Sequence, residues 1–136
     1  MMVKLDIRGL IPLIQVFDMA TALDFYGRIL GFEIVDKAGP PGDIGWAWLR
    51  CAEAQVMLNT AYESHERPAT PDFVRTRAHR DTILFIGCPD VDAAHVHLKS
   101  HGIVTEPPKV APYGMRQLYL HDRDGYGICF QWPVDA

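Results

Sequence analysis

With 136 residues, 49% of them hydrophobic, the chain is long enough to bury one core and too apolar to stay disordered. A formal net charge of −4, with basic residues clustered only around Arg75, Arg77, His79 and Arg80 in what reads as a solvated loop, argues against a nucleic-acid partner. Three widely separated cysteines without a C-x-x-C, no apolar run of transmembrane length and no signal-peptide pattern predict a reduced, cytoplasmic protein with neither disulfides nor a membrane partner.

The first strand is predicted over 10–17, LIPLIQVF, with Pro12 favouring an edge or a strand start over a central position. Asp18 is a good N-cap for a helix on which Ala22, Phe25, Tyr26, Ile29 and Leu30 recur at helical spacing, and Gly31 suits its end. FEIVD (32–36) resumes an extended pattern, PPGD (40–43) marks a turn, and GWAWLRC and AQVMLN alternate as two further strands. Residues 60–80 form a polar connector with two prolines, longer than one compact unit normally contains. The order then repeats. A strand in TILFIGCP leads to a helix capped by Asp90 and ending at His101-Gly102. An extended IVTEPP (103–108), a turn at Tyr113-Gly114, and strands in MRQLYLH and GYGICFQW complete the chain.

Asp90 follows Asp18 by 72 residues, and the same offset sets Ile83 on Ile11, Ile128 on Val56, Cys129 on Met57 and Gln131 on Asn59. The predicted class is therefore α+β: one domain over 1–136, built from two tandem βαβββ pseudo-repeats, 8–59 and 81–132, joined by connector 60–80. Side by side, the two modules would give a curved, partly open mixed sheet with a concave cleft.

Strand alternation puts Trp46, Trp48 and Arg50 on one face, and Gln117, Tyr119 and His121 on one face of the closing hairpin. Asn59 and Gln131 share a pleat face with Met57 and Cys129. With Phe85, the residues Trp46, Trp48, Arg50, Asn59, Gln117, Tyr119 and Gln131 are the predicted ligand-binding set. Flat rings suit an aromatic or cationic organic molecule, and the amides supply neutral hydrogen bonds. The competing arrangement for the two indoles is packing beneath the first helix.

Of the six histidines, His97 and His101 have i, i+4 spacing but no intervening H-E-x-x-H pattern and no evident third ligand. With His95 they read as a solvated helix face. His79 is four residues out of register with Ile83, His121 borders a turn, and His65 lies in the connector. Cys129 has no neighbour in sequence that would activate a nucleophile, so it reads as a small apolar residue lining a pocket.

The segments VFDMATALDFYGRILGFEI (16–34), CPDVDAAHVHLKSHGI (88–103) and APYGMRQLYLHDRDGYGICF (111–130) resemble the vicinal oxygen chelate superfamily, the glyoxalase/bleomycin-resistance/dioxygenase proteins. The FY-x-x-x-LGF element combined with the terminal D-x-D-G turn carries the likeness. The resemblance implies paired βαβββ units around a small-molecule cleft. In the family's enzymes a divalent metal is held by His, Gln or Glu from the first and last strands of each module. Those positions correspond here to Ile11, Met57, Ile83 and Cys129, the last standing where the enzymes have Glu. Isoleucine offers no donor, and Met with Cys is a soft pair unsuited to an oxygen-rich site. The implied protein is a metal-free member with no cofactor and no catalytic residue. It would be a homodimer that sequesters a small organic molecule, as drug-binding resistance proteins do. The alternative is a lyase, isomerase or extradiol-type dioxygenase with a displaced metal site.

Overall fold

The computed structural model describes residues 4–135. Its first module runs β1 (Leu13–Val16), α1 (Met19–Leu23), a π-helical turn (Asp24–Ile29), β2 (Glu33–Ala38), β3 (Trp46–Cys51) and β4 (Ala54–Thr60). A connector carries α2 (Phe73–Ala78) and a 3₁₀ turn (His79–Asp81). The second module runs β5 (Ile83–Gly87), α3 (Val91–Ser100), β6 (Lys109–Val110), β7 (Met115–His121) and β8 (Gly127–Pro133). Each module folds into a four-stranded mixed sheet, ordered β1-β4-β3-β2 and β5-β8-β7-β6.

The 72-residue repeat is visible in the hydrogen bonding. Asp18 accepts from the Thr21 N–H at 3.0 Å, and Asp90 accepts from the Ala93 N–H at 2.9 Å. Both carboxylates satisfy an amide that a helix N-terminus leaves unpaired. Leu13 pairs with Met57 across the parallel β1–β4 ladder, and Phe85 pairs with Cys129 across β5–β8. Each residue of the second pair lies 72 positions beyond its counterpart in the first.

One hydrophobic core serves both modules. Ile14, Val16, Ala47, Leu49, Val56 and Leu58 face it from the first sheet, and Leu118, Leu120 and Ile128 face it from the second. Phe25, Tyr26 and Ile29 fill the space between, with Val91 and Leu98 of α3. Non-polar burial of this kind is the main favourable term in folding.

The β7–β8 turn ties the modules together. Amides on the β1 edge away from β4 find acceptors there: Gln15 N–H donates to the Tyr126 hydroxyl at 3.0 Å and Phe17 N–H to Asp124 at 2.7 Å. Tyr26 donates to Asp122 at 2.6 Å, and Asp122 also accepts from the amides of Asp124 and Tyr126. His79 stacks on Tyr126 with ring centroids 4.1 Å apart, and its Nδ1 lies 2.7 Å from the Asp124 carbonyl oxygen.

Several local expectations are corrected. The first strand begins at Leu13, because Pro12 has no N–H to give; its carbonyl accepts from Met57 N–H and opens the ladder. The first helix is not uniformly α: after Leu23 it widens to a π turn, with Leu30 N–H reaching back to Phe25. The connector carries a helix that the sequence pattern did not mark: Asp72 caps α2, and Arg75 lies 5.6 Å from the Tyr62 ring. Residues 103–108 form no strand; Pro107 and Pro108 lack amide donors, and pairing is confined to Lys109–Val110. His97 and His101 do more than meet solvent. The Nε2 of His97 lies 2.7 Å from the Ile29 carbonyl, and His101 Nδ1 lies 3.4 Å from Arg28, so both bridge to the first module.

Candidate functional site

In each sheet the residues between the core-facing ones form an open face, away from the helices. On the first sheet, Ala47 and Leu49 are buried, so Trp46, Trp48 and Arg50 project to the other side. Their cross-strand partners are Asn59, Met57 and Gln55. Trp48 Nε1 donates to Gln55 Oε1 at 2.9 Å, and Asn59 Nδ2 donates to Gln15 Oε1 at 3.2 Å. Trp48 is thus held on this face by Gln55, whereas Trp46, at the start of β3, lines a cavity together with Met19, Ala20 and Leu23 of α1.

On the second sheet the open face carries Phe85, Gln117, Tyr119, Cys129 and Gln131. Tyr119 pairs with Cys129 and Gln117 with Gln131. Phe85 meets Tyr119 edge to face, with centroids 6.3 Å apart. The Gln117 amide donates to the Tyr113 hydroxyl at 2.8 Å and to Gln131 Oε1 at 2.9 Å. Phe85 is 52% and Tyr119 48% exposed, so this face offers rings that the chain itself leaves uncovered.

Cys129 has no solvent exposure, and burial pushes its thiol above the ordinary range. A protonated, enclosed sulfur is a poor nucleophile and a poor metal ligand. Met57 lies on the first open face, with Ile11 two residues before its β1 partner Leu13. Ile83 packs over Gly127, where an added Cβ would stand 2.9 Å from its Cγ1. These four positions do not fit a divalent metal that needs oxygen or imidazole donors and an open coordination site. Among the described residues, no group of three or more His, Cys, Asp or Glu is placed to hold a metal ion.

The eight predicted ligand residues thus divide evenly, with Trp46, Trp48, Arg50 and Asn59 on one sheet and Phe85, Gln117, Tyr119 and Gln131 on the other. The side-chain hydrogen bonds and the ring contact made by these eight residues stay within one module. Two cavities follow the same division. One of about 580 Å³ is lined by residues between Phe17 and Arg67, and one of about 410 Å³ by residues between Glu106 and Tyr119. Sequence reasoning missed Gln15, Gln55 and Tyr113, whose contacts hold the predicted residues in place. Alternation outward from Met57 and Asn59 carries a signal for the first two. Nothing local marks Tyr113, which lies in a turn.

Residues 10–130 match the model of the Glyoxalase/Bleomycin resistance protein/Dioxygenase superfamily. An uncharacterized protein of Escherichia coli (strain K12), YaeR, is 28% identical over 117 residues, 79% of this chain and 82% of YaeR. The fold superposes on the crystal structure of TioX from Micromonospora sp. ML1 with a TM-score of 0.70 at 20% identity, covering 93% of this chain and all 100% of the other. A bleomycin-binding protein complexed with bleomycin gives a TM-score of 0.68 at 18% identity over 92% of this chain and 98% of that one.

Proposed function

The chain belongs to the Glyoxalase/Bleomycin resistance protein/Dioxygenase superfamily, and from that premise we propose that it binds a small aromatic or cationic organic molecule on its open sheet faces without a metal. The observation that carries this reading is the composition of those faces. Rings and amides are arrayed around four positions, Ile11, Met57, Ile83 and Cys129, whose side chains offer no fitting ligand set. A related fold holding bleomycin supports a binding role rather than a chemical one.

The strands of the two faces belong to two separately hydrogen-bonded sheets, and in this reading a second copy completes the cleft. Leu13, Ile83, Phe85 and Tyr119 are each more than 40% exposed, an apolar area that pairing of two chains would cover. The protein is therefore a homodimer in this reading. It acts in the reducing cytoplasm, where Cys51, Cys88 and Cys129 remain free thiols.

Elemental analysis of protein purified without chelator tests the claim. The expected result is no divalent metal in stoichiometric amount. One tightly held Fe, Mn, Ni or Zn per chain, released by EDTA together with a measurable lyase, isomerase or dioxygenase activity, would replace it with the enzymatic alternative.

A further inference from the structure

The cavity of about 580 Å³ lies where the chain leaves β1 and β4, between the start of α1, the β2–β3 loop and the first residues of the connector. Its size is that of a small-molecule site. None of the positions Ile11, Met57, Ile83 or Cys129 lines it. It therefore stands apart from the family's metal position, sharing with the open face only Trp46 and Asn59.

Three aromatic side chains line this cavity: Phe17, Trp46 and Tyr62. Phe17 and Tyr62 meet edge to face with centroids 6.4 Å apart. The Phe17 ring already accommodates a cation, the Arg67 guanidinium 5.4 Å from its centroid. The electron-rich faces of such rings attract positive charge.

The charges point the same way. Arg67 is paired with Asp18 at 2.8 Å, which cancels both. Asp43 and Glu63 also line the cavity. Asp43 accepts only a neutral hydroxyl, from Ser64 at 3.0 Å, and neither carboxylate has a cationic partner within ion-pair distance among the described residues. The cavity thus holds two carboxylates without an ion-pair partner beside three rings, of which Phe17 and Tyr62 already attract arginines, Arg67 at 5.4 Å and Arg75 at 5.6 Å, and Trp46, among the described residues, has none.

We propose that this cavity is a second binding site, for an organic cation whose apolar body lies against Trp46, Phe17 and Tyr62 and whose ammonium or amidinium group faces Asp43 and Glu63. The connector forms one wall, held by Arg67 on Asp18 and by Ser64 on Asp43. This gives the polar stretch between the modules a role.

Isothermal titration of the full chain with benzyltrimethylammonium, and with phenylacetate as a ring of opposite charge, tests the site. The cation binds saturably and phenylacetate does not. The double variant D43N/E63Q weakens cation binding about tenfold, and Tyr62→Ala weakens it independently of those charges. The double variant changes only surface groups, and unchanged far-ultraviolet circular dichroism and melting confirm that it is folded. Equal binding of both probes, no saturable cation binding up to about 10 mM, or affinity within twofold in D43N/E63Q overturns the proposal. If Trp48→Ala abolishes cation binding while D43N/E63Q retains it, the cation sits on the open face. That outcome removes this site and leaves the preceding functional reading intact.

Discussion

Asp124 is a carboxyl whose chemistry is altered by its place in the fold. Burial pushes its carboxyl up from 3.8 to about 6, although the Phe17 amide donates to it. A carboxyl with a folded-state value above its unfolded one favours folding when protonated. This contribution is therefore fully present below about 4 and is lost as pH rises through about 6. Melting temperature should fall between pH 4.5 and pH 7 on account of this group. Asp124→Asn keeps an acceptor for Phe17 N–H without the buried charge, so it should melt higher at pH 7 and show a flatter profile. A lower melting point with the slope unchanged would show that the charge is not the cause. Cys129 is likewise set by its surroundings. In a thiol titration of native protein the exposed Cys51 should react first, and Cys129, with 0% exposure, only after unfolding. Alternation in the sequence placed this thiol opposite the apolar stripe. Its complete enclosure comes from cross-strand neighbours Phe85 and Tyr119, distant in the chain.

The Asp-Gly turn between β7 and β8 decides the relation between elements. Gly125 has a φ of +90°, and a Cβ there would lie 2.2 Å from the Thr76 carbonyl oxygen of α2. Gly125→Ala combines left-handed strain, about 1–3 kcal/mol, with a backbone clash that only movement of α2 can relieve. Urea unfolding should register a loss of at least about 2 kcal/mol. A change below about 0.5 kcal/mol would mean that α2 yields easily. Strands and the two Asp-capped helices were legible because alternation, caps and the 72-residue offset agree. The π turn was not, since a single inserted residue hardly disturbs a helical apolar pattern. Nor was α2: with none of its residues buried it has no apolar stripe, and its place depends on Asp72 and the contact at Gly125.

Across the whole molecule, the open faces were readable from strand parity and their division between two modules from the 72-residue offset; how the faces meet was not. Parity says which side chains share a face, but not whether two faces of one chain look at each other. Light scattering at micromolar concentration should return the mass of two chains. The mass of one chain would contradict the dimer. The cavity beside the connector was equally hidden, because Phe17, Trp46 and Tyr62 meet only after the chain has folded back.

The most direct test of metal-independent binding is a thermal-shift measurement across a panel of aromatic and cationic compounds in the presence of EDTA. At a hundredfold excess over its Kd, a ligand adds about 2.7 kcal/mol to stability, enough to raise melting by several degrees. At least one compound should give such a rise, unchanged by EDTA and lost in Trp48→Ala and Tyr119→Ala. A rise that appears only when a divalent metal is restored would contradict metal-independent binding.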